Sequence, residues 1–279
     1  MLEKLSKVQR VFFMRINYYL DNWLQFIKLN VQTWFEYRVN FVIGIVAMAL
    51  SNLITVVFFW AVFRHIPDLN GWSFGQLLFM FGFWAFSGGI WHAFLAEANP
   101  HNIERFIRNG ELDRWLLRPG NTLVFITIRR FDDDAFGDIL MGAALLAYSS
   151  NALGLVWTAQ NVLALVALSL GSILVWFSLN VIASTLGFWV VSVRALGDML
   201  WSVSRFIEYP LDIYNRVIVY VLTFVIPLGF VSFYPAQYFF GNMQWMLYAY
   251  ATLPLGLLMF GLAYKFWSYG LKNYSSTGS

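Results

Sequence analysis

Long runs without a charged side chain alternate with short polar segments along most of the sequence. The first two charge-free runs extend from Val39 to Phe63 and from Phe74 to Ala96. A helix over the first run would be about 37 Å long, enough to cross a hydrocarbon core of about 30 Å with some tilt. Each of these two runs therefore predicts one transmembrane helix.

Two later runs, residues 139–193 and 217–264, also lack charged side chains and are each long enough for two helices. Clusters of Ser, Asn, Gly and Pro interrupt both runs, as is typical of turns. We therefore expect six membrane spans, over residues 39–63, 74–96, 139–157, 162–193, 217–233 and 245–264.

The residues left over between the fifth and sixth predicted spans, Tyr234–Gly241, are apolar but broken by Pro and Gly. Such backbone is tolerated at membrane depth only where it is buried in protein or lines a cavity. We predict a re-entrant segment here.

The polar segments determine the predicted orientation. We expect residues 1–38 to form an amphipathic helix, either in the membrane interface or packed on the protein, and residues 269–279 to form a polar tail. If both termini and the loops 97–138 and 194–216 are cytoplasmic, every Lys and Arg except Arg64 lies inside. The positive-inside rule favours this arrangement.

Composition supports the same fold class. The chain is 59% hydrophobic and 12% charged, whereas soluble domains carry about 25% charged residues. We expect an all-α polytopic membrane protein. Its net charge of +3 comes from basic residues in loops beside the spans, so it does not indicate a nucleic-acid partner. The absence of Cys excludes disulfides and thiolate metal sites.

Catalytic and metal-binding motifs are missing from the sequence. It has no phosphate-binding P-loop, so ATP chemistry would have to come from another subunit. His92, Glu97 and His101 fit no standard ligand spacing, and Pro100 interrupts the helix between the last two. We therefore predict neither a catalytic nor a metal site, and no enzymatic activity for this chain.

Four acids precede the third predicted span: Asp132, Asp133, Asp134 and Asp138. Carboxylates suit hard cations. The favoured interpretation is a solvated helix entry whose acids interact with the helix dipole and pair locally with Arg129 and Arg130.

The second span carries the best candidate for a transport pathway. Trp84 and Trp91 are seven residues apart, Gly88 lies between them on the same face, and His92 follows. Such a face could hold an apolar or cationic amphiphile by stacking and cation–π contact. The simpler alternative is that these aromatic rings pack helices or face lipid.

The loop after the second span contains a short amphipathic segment, Asn109–Pro119, in which charged residues alternate with Leu and Trp. A charged cytoplasmic segment between apolar runs is typical of a docking surface. The segment Gly110–Asn121 (GELDRWLLRPGN) resembles the cytoplasmic loop of type-2 exporter permeases of the ATP-binding cassette (ABC) superfamily. Three more segments resemble a bacterial, multidrug-exporter-like branch of that group: Phe206–Tyr214, Ile226–Gly241 and Phe266–Ser276.

This resemblance implies a permease subunit in the bacterial plasma (inner) membrane. It would pair with a second permease copy or a homologous permease and rest on two ATPase subunits, which would bind ATP and Mg. The resemblance also implies an outer gate in the re-entrant segment, formed by Tyr234, Pro235, Gln237, Tyr238 and Gly241. The residues of the coupling helix would be Asn109, Gly110, Glu111, Leu112, Asp113, Arg114, Trp115, Leu116, Leu117, Arg118 and Pro119.

Trp115 departs from the family pattern, in which a smaller residue is expected. The substrate, whether a drug, a lipid or a glycolipid, stays open, and so does the choice between a homodimer and a heterodimer. The alternative to an exporter is an ATPase-independent channel or an assembly scaffold. An obvious charged pore lining, which would favour a channel, is absent from the sequence.

Overall fold

A computed structural model describes residues 21–190 and 192–275. Within these residues the chain is mainly helical and contains no strand, which confirms the all-α class. The helices are α1 (residues 21–36), α2 (Arg38–Phe63), α3 (Phe74–Leu95), α4 (Pro100–Arg108), α5 (Glu111–Leu116), α6 (Thr122–Ile128), α7 (Phe136–Ala152), α8 (Ala159–Thr185), α9 (Arg194–Ser204), α10 (Arg216–Tyr220), α11 (Phe233–Phe240) and α12 (Met246–Asn273).

Polar side chains fix where several helices begin. Ser73 and Gln76 form a reciprocal capping box at the start of α3. The Thr158 side chain accepts the backbone N–H of Asn161 at the start of α8. Asn99 caps α4 in the same way, with Pro100 as the first helical residue.

Four helical stretches are long and apolar enough to cross a membrane: Arg38–Phe63, Phe74–Arg108, Ala159–Phe188 and Met246–Asn273. They correspond to the first, second, fourth and sixth predicted spans. Helix α7, the third, has 17 residues and a length of about 25 Å, shorter than a hydrocarbon core of about 30 Å. The structure thus supports four of the six predicted spans by length and composition.

The bundle has two ends, which α3 separates by about 33 Å. Trp72 lies just before α3, in the loop between α2 and α3, and marks what we call the Trp72 end. Helices α4 and α5 follow α3 and mark what we call the α5 end.

Residues 194–214 run from one end of the bundle to the other, and we call them the crossing segment. Near its start, a ring nitrogen of His101 lies 3.0 Å from the Asp198 carboxylate, at the α5 end. Near its other end, the indole of Trp72 donates to both carboxylate oxygens of Asp212, each at 3.0 Å. The prediction that residues 194–216 form a loop at one end is therefore wrong. The segment is polar because one of its faces lines a cavity, as described below.

Residues 216–240 form a helical hairpin that starts and finishes at the Trp72 end. Its first arm, α10 and a π-helical turn through Val225, ends where Pro227 has no N–H to continue the helix. In its turn, the Phe230 carbonyl accepts the hydroxyl of Ser172, midway along α8. Its second arm, α11, returns to Trp72, which contacts Phe240. The predicted fifth span, 217–233, is therefore wrong as a single helix.

The two chain ends are only partly described. Residues 21–36 are helical, as predicted, whereas residues 1–20 lie outside the described part, so the interfacial location of this helix stays a prediction. Helix α12 continues to Asn273, past the predicted start of the tail at residue 269.

Two close helix pairs build the core, α3 with α7 and α8 with α12. Helix α3 is the most deeply buried, whereas α2 buries only Gly44 and Phe59 within the chain. Apolar side chains on the outside of α2, such as Val46 and Ile54, are exposed. Such a surface is suited to lipid or to another protein chain.

Candidate functional site

A cavity of about 560 Å³ extends from the α5 end towards the middle of the bundle. This volume falls in the range of small-molecule sites, about 300–1,000 Å³. Its walls come from α2, α3, the start of α4, the loop before α7, the start of α7, α8 and the crossing segment.

All four residues predicted for a transport pathway line this cavity: Trp84, Gly88, Trp91 and His92. The helical spacing that placed them on one face of the second span is therefore found in the structure. Their role in transport stays a prediction.

Four tryptophans form one continuous aromatic wall of the cavity, which we call the tryptophan wall. Trp176 of α8 lies at its centre, with ring centroids 5.9 Å from Trp84, 5.7 Å from Trp91 and 6.5 Å from Trp201. The first two pairs meet edge to face, a favourable aromatic geometry. Trp91 and Trp176 are buried, whereas Trp201 is 54% exposed. The wall therefore combines helix packing with an open aromatic surface.

His92 lies between two carboxylates at the cavity wall. Its Nε2 is 3.4 Å from Asp132 and its Nδ1 is 3.6 Å from Asp138. Only the imidazolium carries a proton on both ring nitrogens, so this arrangement suits the charged ring. Asn52 of α2 donates to Asp138 at 2.6 Å and extends the cluster to a third element. The hydrogen bond to His92 outweighs burial and holds the pKa of Asp132 below its usual value.

The remaining aspartates of the predicted acidic cluster do not approach His92 in this way. Oxygen atoms of Asp132, Asp133 and Asp134 come within 4.8 Å of one another, a spacing that could suit a cation. Asp134 packs against Gly44 of α2, where burial raises the pKa of its carboxyl. Because Asp132 already pairs with His92, the structure favours a role in joining helices. The predicted local pairing with Arg129 is wrong, since that guanidinium turns towards two glutamates.

The crossing segment presents a polar stripe to the cavity, at steps of three and four residues. This spacing places side chains on one face of a helix. Ionisable side chains at membrane depth characteristically face a protein interior or a water-filled cavity. The stripe consists of Asp198, Trp201, Arg205 and Glu208.

Helix α5 projects from the α5 end on a tight turn. Gly110 adopts a left-handed backbone with φ 66°, which favours Gly, and it turns the chain from α4 into α5. Leu112 is fully buried and anchors the helix, whereas Leu117 is 86% exposed. The outward side of the predicted coupling segment comprises Asn109, Arg114, Leu116, Leu117, Arg118 and Pro119.

Arg129 joins α5 to the cavity wall. Its guanidinium lies 3.5 Å from Glu111 of α5 and 3.6 Å from Glu97, which lines the cavity. Trp115, the residue that departs from the family pattern, lies between two arginines. Its ring centroid is 4.5 Å from the guanidinium carbon of Arg118 and 5.7 Å from that of Arg129. The larger ring is therefore accommodated by cation–π contacts within the chain. Asp113 lies beside Tyr274, and burial, together with that charge, raises the pKa of the phenol.

The residues predicted for an outer gate all lie on α11 or its cap, at the Trp72 end. Tyr234, Pro235 and Gln237 are buried, and Gly241 ends the helix with φ 65°. The Tyr234 hydroxyl is 2.6 Å from that of Thr223 in the first hairpin arm. The Tyr238 hydroxyl accepts a hydrogen bond from the start of α8 at 3.3 Å. The first contact joins the two arms of the hairpin and the second joins the hairpin to α8, and the gating role of these residues stays a prediction.

A family model described as ABC-2 family transporter protein matches residues 46–278. The chain belongs to this family. As an ABC-2 transporter it is a membrane transport component, of a kind that generally works with ABC ATPases. Among curated proteins and solved structures, the comparison found no match.

Two parts of this ABC-2 transporter site were missed in the sequence. The polar stripe was mistaken for part of a surface loop, although its regular spacing could have revealed a helix facing a polar interior. The contribution of Trp176 carried no local signal, because its partners come from α3 and the crossing segment.

Proposed function

We propose that this chain is the permease subunit of an ATP-driven ABC exporter, with the cavity as part of the translocation pathway. One observation carries the proposal: a continuous series of contacts leads from the exposed face of α5 to the cavity wall. Leu112 anchors the helix, Glu111 pairs with Arg129, and Arg129 pairs with Glu97. A displacement of α5 by a partner would therefore act on the cavity.

The outward face of α5 is the docking surface for an ATPase subunit. It combines the cationic Arg114 with the exposed apolar Leu117, a mixture suited to a protein partner. Two ATPase subunits, holding ATP and Mg, serve a pair of permeases. The exposed apolar surface of α2 is available for lipid or for the second permease.

The membrane topology that we propose keeps six spans but reassigns the fifth. The spans are α2, α3, α7, α8, the crossing segment and α12, and the hairpin 216–240 re-enters from the Trp72 end to form the outer gate. Nearly all described Lys and Arg residues lie at the α5 end; Arg64 and Arg216 lie at the other end, and Arg205 between them. The positive-inside rule then places the α5 end and both termini in the cytoplasm of a bacterial cell.

Purification of the native protein in mild detergent tests the complex. We expect a subunit with ATP-hydrolysing activity to co-elute with the permease. A stable permease oligomer that hydrolyses no ATP and retains no ATPase would contradict the proposal and favour the scaffold.

A double substitution, Arg114→Ala with Leu117→Ala, tests the docking face. Both side chains project outward, so we expect the ATPase to dissociate more readily while the permease stays folded. Truncation of the anchor side chains of an interface weakens the free energy of binding by about 2 kcal/mol or more. The affinity of the permease for the ATPase should therefore fall at least about thirtyfold. Glu111 is unsuitable for this test because it holds α5 to Arg129.

The matched control is Arg216→Ala with Leu247→Ala, an exposed Arg and an exposed Leu at the Trp72 end. It should leave ATPase binding unchanged. Equal ATPase retention by the two double variants would exclude α5 as the docking surface.

A further inference from the structure

We infer that the cavity binds an organic cation with an apolar body. This inference rests on the proposed function and narrows its substrate class. It is carried by two features that meet in one space, the tryptophan wall and an excess of carboxylates.

The tryptophan wall offers the aromatic surface that such a cation requires. Among side chains, the indole ring attracts a cation over its face most strongly, and the attraction grows when water is excluded. Trp201 contributes an open indole, 54% exposed, and lies 6.5 Å from the buried Trp176. An apolar body can therefore pack on these rings while its charge stays close to their faces.

The polar lining carries more negative than positive groups. Five carboxylates line the cavity: Glu97, Asp132, Asp138, Asp198 and Glu208.

The positive groups compensate most of this charge. Arg129 neutralises Glu97 from behind the wall, and Arg130 and Arg205 lie on the lining. With His92 counted as protonated between its two aspartates, and His101 beside Asp198 counted as neutral, one negative charge remains.

The same lining disfavours the alternative ligands. An anion would meet a net negative wall, and an uncharged lipid would leave the one excess negative charge without a counter-charge. Placing ionisable groups at membrane depth is costly, and they characteristically mark substrate or ion pathways. An organic cation uses both the rings and the carboxylates.

Two ions of nearly equal shape and opposite charge provide the test. Tetraphenylphosphonium is the cationic probe and tetraphenylborate its anionic counterpart. Saturable binding of each is measured by equilibrium dialysis on the purified permease, without ATPase, in discs of zwitterionic lipid, with empty discs subtracted. We expect saturable binding of the cation at least about tenfold tighter than that of the anion.

Two pairs of variants locate the binding site. Trp201→Leu and Glu208→Gln alter the cavity, whereas Trp189→Leu and Glu36→Gln remove an exposed Trp and an exposed Glu elsewhere. We expect each cavity variant to weaken cation binding by about three- to thirtyfold. The two control variants should bind as the unaltered protein does.

The inference is overturned if the anion binds as tightly as the cation, if neither ion binds saturably, or if cavity and control variants behave alike. Glu208→Gln is nearly isosteric, so it keeps the test valid if Trp201→Leu does not fold. The ATPase is absent from this binding assay. If cation binding is not found, the co-purification of an ATPase with the permease can therefore still be observed, and the proposed function still stands. If no ATPase co-purifies with the native permease, the proposed function is contradicted whatever the result of the binding assay.

Discussion

At the residue scale, Arg129 joins several elements between α5 and the cavity. Besides its two glutamates, its guanidinium lies 4.7 Å from the ring of Phe106 in α4. Its backbone carbonyl accepts the side-chain amide of Asn30 in α1 at 3.5 Å. One residue thus touches α1, α4, α5 and the cavity wall.

Replacing Arg129 should therefore destabilise the α5 end. Arg129→Gln leaves Glu97, whose side chain is 11% exposed, without its cation. We expect the free energy of unfolding to fall by about 1–3 kcal/mol. In the detergent-solubilised permease, this should lower the melting temperature by several degrees. The double variant Arg129→Gln with Glu97→Gln removes the unpaired charge and should melt higher than Arg129→Gln alone. A double variant that melts no higher would mean that Glu97 does not depend on this guanidinium.

Asp132 gives the α5 end a defined acid sensitivity. Its pKa is lower in the folded protein than in the unfolded chain, chiefly because of the hydrogen bond to His92. Its contribution to stability is therefore complete above the unfolded pKa of about 3.9 and is lost as the pH falls through the folded value. Between pH 6 and pH 3 the melting temperature should fall more for the unaltered protein than for Asp132→Asn. Parallel curves for the two proteins would contradict this assignment.

At the scale of elements, glycines set the distance between α3 and α7. A Cβ on Gly142 of α7 would lie 2.3 Å from the backbone nitrogen of Phe86, and one on Gly82 would lie 2.8 Å from Leu145. A methyl group at either site meets the opposing helix directly. This close packing holds the short α7 against the cavity-lining α3.

Gly142→Ala should therefore lower the free energy of unfolding by about 1–3 kcal/mol, because backbone atoms cannot move aside as a flexible side chain can. The matched control is Gly261→Ala in α12, where a Cβ would meet nothing within 4 Å. That change should be neutral or stabilising, since Ala favours helix over Gly. Thermal melting of both variants decides the matter; similar melting temperatures would show that α3 and α7 can separate at little cost.

Elements that depend on local composition could be predicted from the sequence. Elements and side-chain pairs that depend on tertiary contacts could not. The four long helices follow from charge-free runs, and the cavity-lining face of α3 follows from the spacing of Trp84 and Trp91. The crossing segment was missed because its charges resemble those of a surface loop until the cavity beside it is known. Arg129 was assigned to neighbouring aspartates, whereas its partners Glu97 and Glu111 approach through the folding of α4 to α6.

At the scale of the whole molecule, the crossing segment can be tested by labelling from each side of the membrane. The chain has no Cys, so single cysteines can be introduced without a background. Cysteine at Arg216 should react with an impermeant thiol reagent from the same side as cysteine at Arg64. Cysteine at Arg118 should react from the opposite side. If positions 216 and 118 react from the same side, residues 194–216 do not cross the membrane.

The contacts of Trp72 restrict how the Trp72 end can open. This one indole donates to Asp212 at the end of the crossing segment and also packs on Phe233 and Phe240 of the hairpin. It directly precedes α3 in the chain, so three separate parts of the molecule meet on a single side chain. Opening of this end therefore requires that α3, the crossing segment and the hairpin move as one body, or that Trp72 breaks either its bond to Asp212 or its contacts with the two phenylalanine rings. Each separate movement at this end thus breaks at least one contact of this indole.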